Sequence, residues 1–141
     1  MAVTVEIALS ATDADYAAVF KPLVAYNAKH APADYEPFAI RLRNEAGEIV
    51  GGLFARKFYD WLFVELVFVP EQARSKGVGS EMLAKAEAYA RAKNCVGIWL
   101  DTFSFQAPNF YPKFGFKLFG AIDDYPKGSK RFFYQKRFDA P

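Results

Sequence analysis

Cysteine and histidine, the residues from which metal centres and disulfide frameworks are built, are almost absent from this sequence. Cys95 is the single cysteine and His30 the single histidine among 141 residues. An internal disulfide is therefore excluded, no metal constellation is expected, and one thiol fits a reducing compartment, so the expected location is cytoplasmic. Charge of one sign is equally scarce. Eighteen Lys and Arg against sixteen Asp and Glu leave a net charge of +2, and the pI is near 8.6. A nucleic-acid binder concentrates basic residues on one face. Here they are scattered, gathering only at Lys127, Lys130, Arg131, Lys136 and Arg137, so no nucleic-acid partner is expected. No charged start leads into a long apolar stretch, so neither a signal peptide nor a membrane span is expected. Repeats and low-complexity tracts are missing too.

Apolar and aromatic side chains are plentiful. Hydrophobic residues make up 52% and aromatics 18% of the chain, which argues for a substantial core and against disorder. A chain of this length folds as one domain, residues 1–141, burying roughly two-thirds of its unfolded surface. The aromatic content also allows a homodimer interface.

The organising stretch runs over residues 62–90. Residues 62–69 are apolar except for Glu65 and read as a strand covered on both faces, stopped by Pro70. From Val78 the apolar residues Val78, Met82, Ala86 and Tyr89, with Leu83 and Ala90 beside them, mark one stripe of a helix. Glu81 and Lys85, and Glu87 and Arg91, lie four apart on its solvent side in the favourable order. The turn between strand and helix is Arg74-Ser75-Lys76-Gly77-Val78-Gly79-Ser80. Its missing Cβ atoms would let a ligand approach the backbone, and the first N–H groups of a helix lack internal partners at the positive end of the dipole. The turn is either a phosphate or pyrophosphate cradle or a glycine-eased connection with solvated basic residues. It is not a P-loop, because the lysine precedes the first glycine, and not a dinucleotide fingerprint, because Met82 stands where a third small residue is needed.

Upstream, Val3, Val5, Ile7 and Leu9 alternate as in a first strand. Ser10, Thr12 or Asp13 then caps a helix to about Asn27, with Tyr16, Val19, Phe20 and Leu23 inward and a break or kink at Pro22. Residues 30–37 read as a loop. Residues 38–42 and 49–58 read as strands joined at Asn44-Glu45-Ala46-Gly47, with Gly51-Gly52 marking a bulge or a close backbone approach. Downstream, Asn94 stops the central helix and residues 96–100 form a strand ending at Asp101. A short helix at 106–113 follows, then strands near 116–122 and 131–138 flanking a loop at 124–129. A strand, a helical crossover and a second strand form a right-handed parallel unit. The expected class is therefore α/β with α+β character: a mixed, mostly antiparallel central sheet flanked by helices.

The strand-Pro-loop-helix resembles the acetyl-CoA-binding motif of the GNAT superfamily of N-acetyltransferases, Arg/Gln-x-x-Gly-x-Gly/Ala, matched by Arg74, Gly77 and Gly79. A second segment, Ala107, Asn109, Tyr111, Gly115 and Phe116, is similar to another part of that family's pattern, and the order of elements is similar as well. The resemblance covers roughly residues 49–138, departing at Pro112, which would shorten or bend the helix after the tyrosine. It implies an acetyl-CoA-dependent N-acetyltransferase of single-domain GNAT-like fold, transferring an acetyl group directly to a primary amine of a small molecule or peptide, with no metal. The alternative is a non-catalytic acyl-CoA-binding module of the same fold. The amides of Ser75, Lys76, Gly77, Val78, Gly79 and Ser80 would bind the pyrophosphate, and the backbone of Phe68 and Val69 the pantetheine arm. Asn109 would bond that arm or cap the short helix.

Amine acylation needs a base, because a primary ammonium of pKa about 10 is mostly protonated at neutral pH. It also needs a weak acid for the departing thiolate. By the resemblance Tyr111 is the acid, against a core-aromatic reading; Glu65 is the base, against an exposed position or a structural ion pair. For Glu65 the argument is that a carboxylate in an apolar strand is desolvated. Asp101 either faces the acceptor or caps a turn. Asp123, Asp124 and Tyr125 lie in a loop that borders the acceptor site or is merely solvated. Cys95 reads as a buried small apolar residue.

Overall fold

The computed structural model describes residues 2–32 and 34–139. They form two compact units, one up to residue 33 and one from residue 34 onward.

In the first unit, α1 (Asp13–Ala28) starts where the sequence can satisfy its orphan amides: the Thr12 hydroxyl accepts from the Asp15 amide while the Asp15 carboxylate accepts from the Thr12 amide, a complete capping box. The helix runs on through Pro22. Two expectations are corrected here. Val3, Val5, Ile7 and Leu9 form no strand and stand 84–99% exposed, since alternation alone supplies no ladder partner. The α1 stripe of Tyr16, Val19, Phe20 and Leu23 is likewise exposed, and the helix buries none of its residues. Ala33, within the expected 30–37 loop, lies outside the described residues.

The second unit is built on one sheet. β1 (Tyr35–Arg43), β2 (Ile49–Phe58) and β3 (Trp61–Phe68) form an antiparallel meander; α2 (Val78–Ala92) leads to β4 (Gly97–Phe103), and β5 (Lys117–Asp123) and β6 (Lys130–Arg137) close the chain. The order is β1-β2-β3-β4-β6-β5, and only β3 and β4 run parallel. The mixed, mostly antiparallel sheet read from the sequence is therefore the observed one. At the β1–β2 turn Gly47 takes φ +81°, which glycine adopts without cost. Gly52 has φ +144°, and a Cβ there would overlap the Ile40 carbonyl, so this glycine pair marks a close backbone approach.

α2 buries Met82, Leu83, Ala86 and Ala90 in a core shared with Leu53, Ala55, Leu62, Val64, Ile98 and Leu100. Burial of β3 on both faces is a further correction. Leu62 and Val64 are buried, Trp61 and Phe63 only half-buried, and Glu65, Leu66 and Phe68 exposed. One face meets the core; the far half of the strand leaves the ladder on one side.

Candidate functional site

The site begins where the sheet divides. β3 pairs with β4 from Trp61–Gly97 to Val64–Leu100 and no further. β4 continues beside β6 to Phe103, while β3 continues beside β2 to Phe68. Along β2, Ala55 faces Val64 and Phe54 faces Leu66, so Glu65 is the extra residue of a β-bulge at the point of divergence. From Glu65 to Phe68 the edge of β3 turned towards β4 therefore has no ladder partner among the described residues. An extended amide-bearing chain can pair with such an edge.

The turn that follows lies at the end of this free edge. After Pro70 comes a single 3-10 turn (Glu71–Ala73), and Arg74 Nε donates to the Val69 carbonyl at 2.9 Å, tying the loop to the strand end. Ser75 (φ +63°) and Gly77 (φ +79°) take left-handed conformations. Gly77 is the N-cap of α2 and offers no side chain to it; the first helical bond runs from the Glu81 amide to the Gly77 carbonyl at 3.0 Å. The consecutive amides of Ser75, Lys76, Gly77, Val78, Gly79 and Ser80 donate to no described protein acceptor. Unpaired donors at a positive helix end suit an anion. The two glycines differ in role. The space at Gly77 is open, whereas a Cβ at Gly79 would lie 2.9 Å from Cζ of Phe110. Gly79 thus makes room for a protein ring and docks the loop against the segment that carries Tyr111.

That segment is a 3-10 helix (Pro108–Phe114) containing Pro112 and ended by Gly115 at φ +87°. It stands where a short helix at 106–113 is expected and takes the 3-10 form: proline removes a backbone donor, and short i to i+3 bonding is what remains. Gln106, not singled out in the sequence, orders its approach by accepting from the Thr102 hydroxyl at 3.0 Å and the Phe103 amide at 2.8 Å. Tyr111 is buried among Phe110, Phe116 and Tyr134, with ring centroids 5.3, 6.0 and 6.1 Å away. Burial first, and the charge of Asp101 second, push its phenol above the ordinary value. The group therefore stays neutral and able to donate. Asn109 is exposed and caps nothing: the N-cap is Ala107, with no side-chain bond.

Two carboxylates flank the divergence, one on each strand. Glu65 is exposed and pairs with Arg56 across 3.7 Å, the two side chains 37% and 43% exposed. The desolvation argued from its apolar neighbours is therefore not what the strand provides. Asp101, the residue after the last shared rung, pairs with Arg131 at 2.8 Å. Further along, Asp123 pairs with Lys130 at 3.4 Å and Asp124 accepts from the Gly128 amide at 3.4 Å. His30 belongs to the first unit, its ring 5.1 Å from that of Tyr26. Cys95 is buried, and burial pushes its thiol upward, as suits an unreactive core residue. Among the described residues no three His, Cys, Asp or Glu side chains gather as metal ligands.

The open edge of β3, with a run of unpaired helix-terminal amides at its end, is suited to an extended ligand that carries an anionic group. The chain belongs to the acetyltransferase (GNAT) family, whose model matches residues 6–116. An Agrobacterium fabrum acetyltransferase is 36% identical over 122 residues, 86% of this chain and 89% of that protein. The blasticidin-S acetyltransferase of Streptomyces morookaense is 43% identical over 94 residues, 66% of this chain and 69% of that one. A crystal structure of a candidate acetyltransferase from Agrobacterium tumefaciens superposes with a TM-score of 0.89 at 32% identity, covering 96% of this chain and all (100%) of its own. A Bacillus anthracis candidate streptothricin acetyltransferase, solved with acetyl coenzyme A, superposes at 0.59 with 26% identity over 66% of this chain and 58% of its own. The family and these relatives make this chain an N-acetyltransferase.

Proposed function

We propose that residues 1–141 are one acetyltransferase domain that takes acetyl-CoA as cosubstrate and transfers its acetyl group directly to a primary amine, without a covalent enzyme intermediate. The observation that carries this reading is the run of unbonded amides from Ser75 to Ser80 at the end of the free β3 edge. Those amides, with Arg74 and Lys76 beside them, suit the pyrophosphate. The open edge at Phe68 and Val69 suits the pantetheine arm, with Asn109 free to bond it.

Acetyl-CoA supplies the activated acyl group; the chain's residues move the protons. Glu65 takes the proton released as the amine nitrogen bonds to the thioester carbon, directly or through one water, and its exposure keeps it in reach of either. Tyr111 hydrogen-bonds the sulfur as the C–S bond breaks. From ordinary values, phenol near 10 and thiol near 8.5, complete transfer to the thiolate is uphill by roughly 2 kcal/mol. A neutral Tyr111 therefore stabilises the thiolate chiefly by donating to it. The thiolate then takes a proton from solvent, and the products are an N-acetyl amine and free thiol.

The relative that acetylates blasticidin S makes that antibiotic a first acceptor to test, beside spermidine and L-lysine. Loop 124–129 borders the acceptor in this reading. No helix among the described residues is long and apolar enough to cross a membrane; a cytoplasmic location and a homodimer complete the reading, the latter decided by light scattering. Thiol release from acetyl-CoA, with mass spectrometry of the amine, tests the function. Amine-dependent release with acetylated product supports it. Acetyl-CoA binding without release for any amine would favour the non-catalytic module.

A further inference from the structure

The divergence carries a second carboxylate that the steps above leave unused. Asp101 Oδ2 accepts from an Arg131 terminal nitrogen at 2.8 Å, the side chains only 15% and 26% exposed. Its other oxygen has no hydrogen bond or ion pair among the described residues. Alternation along β4 puts Asp101 on the face of Trp99 and Phe103, while Leu100 and Thr102 point into the core.

Arg131 is unusually constrained. Its guanidinium lies 5.1 Å from the Tyr125 ring centroid, 5.2 Å from that of Phe133 and 5.8 Å from that of Phe103. It also donates to the Tyr125 hydroxyl at 3.1 Å. Its Nε is buried with no acceptor among the described residues. A surface arginine would swing to satisfy that donor; here three rings and Asp101 hold the group where it is. Because Tyr125 follows β5 and Arg131 is the second residue of β6, this clamp ties the late loop to the mouth of the fork. The Asp101 charge reaches Tyr111 as well.

We propose that Asp101 is the acceptor-binding carboxylate: its free oxygen receives the acceptor's ammonium opposite Glu65, and Arg131, fixed by its three rings, is the positioning residue that aims it. The inference rests on the acetyltransferase reading and adds to it the residue that receives the acceptor's cationic nitrogen and the one that positions it. The work then divides: the bound ammonium gives one proton to water, Asp101 keeps the neutral amine in place by accepting one of its N–H groups, and Glu65 takes the second proton as the C–N bond forms.

The test compares native protein, Asp101→Asn, Arg131→Met and Arg131→Lys with spermidine, L-lysine and blasticidin S. Each amine is read as its KM or, where it is not turned over, as its Kd for the CoA complex by calorimetry. Loss of one charged hydrogen bond corresponds to about 10- to 100-fold. Asp101→Asn is expected to raise the amine constant by that factor while acetyl-CoA affinity stays near native, with Tm lowered because Arg131 loses its charge partner. Arg131→Met should move the amine constant in the same direction, and Arg131→Lys should recover part of the loss. An amine constant within twofold of native in Asp101→Asn overturns the inference, as does native protein that binds acetyl-CoA but none of the three amines. Failure of the native protein to bind acetyl-CoA would instead overturn the underlying reading.

Discussion

Gly79→Ala tests how the 75–80 loop is held against the segment that carries Tyr111. The added Cβ would lie 2.9 Å from Cζ of Phe110 and 3.5 Å from Cε1. The ring has little freedom to retreat, since Tyr111 and Phe114 pack against it with centroids 5.3 and 4.8 Å away. Overpacking of this kind costs about 1–3 kcal/mol. Alanine also improves helix propensity over glycine by about 1 kcal/mol, which offsets part of the strain. The expected net loss is ~0–2 kcal/mol, read as a denaturant midpoint with unchanged m-value. A single value in that range decides little, so the double mutant is the decisive comparison. In Gly79→Ala/Phe110→Leu the smaller side chain relieves the contact, and a coupling energy of at least ~1 kcal/mol between the two sites is expected. Strictly additive effects would refute the packing role of Gly79 and return it to a ligand-approach role alone.

Tyr111→Phe is expected to lower kcat while leaving acetyl-CoA affinity nearly intact; an unchanged kcat removes Tyr111 from the mechanism. Glu65→Gln should abolish or shift the acidic limb of the pH–rate profile, and a superimposable profile rules out Glu65 as base. Burial opposes ionisation of Glu87, but the hydrogen bonds of Lys136 (2.6 Å) and Arg91 (3.0 Å) outweigh it and hold the carboxyl below its ordinary 4.5. A depressed folded pKa adds stability that is present above the unfolded value and lost as pH falls through the folded one. Native protein should therefore lose more stability than Glu87→Gln on acidification below about pH 4.5, and parallel acid-stability curves would contradict the assignment.

The parts of the fold legible in the sequence are those fixed by local chemistry. Asn44 to Gly47 makes the β1–β2 turn, and the following strand spans Ile49–Phe58 as read. The stripe of Met82, Leu83, Ala86 and Ala90 buries α2, and Pro70 ends the strand before it. The same kind of pattern misled at the start of the chain, where Val3 to Leu9 alternate without a ladder: periodicity reports which side chains could share a face, not whether a neighbouring strand exists. The site was legible only in its pieces. The loop of Arg74, Gly77 and Gly79 and the tyrosine at 111 stood out, yet that Gly79 accommodates Phe110 depends on a contact between distant segments. The bulge at Glu65 and the Asp101–Arg131 pair depend on register between β2 and β3 and between β4 and β6. No local signal in the sequence sets that register.

The central claim is that the bare amides from Ser75 to Ser80 bind the pyrophosphate of acetyl-CoA. Calorimetric titration with acetyl-CoA tests it directly, run on native protein, on Lys76→Glu, and on Lys85→Glu as a charge-matched change further along α2. Both lysines are exposed, so neither reversal disturbs the core. The account predicts binding by the native protein at one site per chain, about tenfold weaker in Lys76→Glu, where like charge meets the anion, and little changed in Lys85→Glu. No binding by the native protein, or equal affinity in all three, would contradict it.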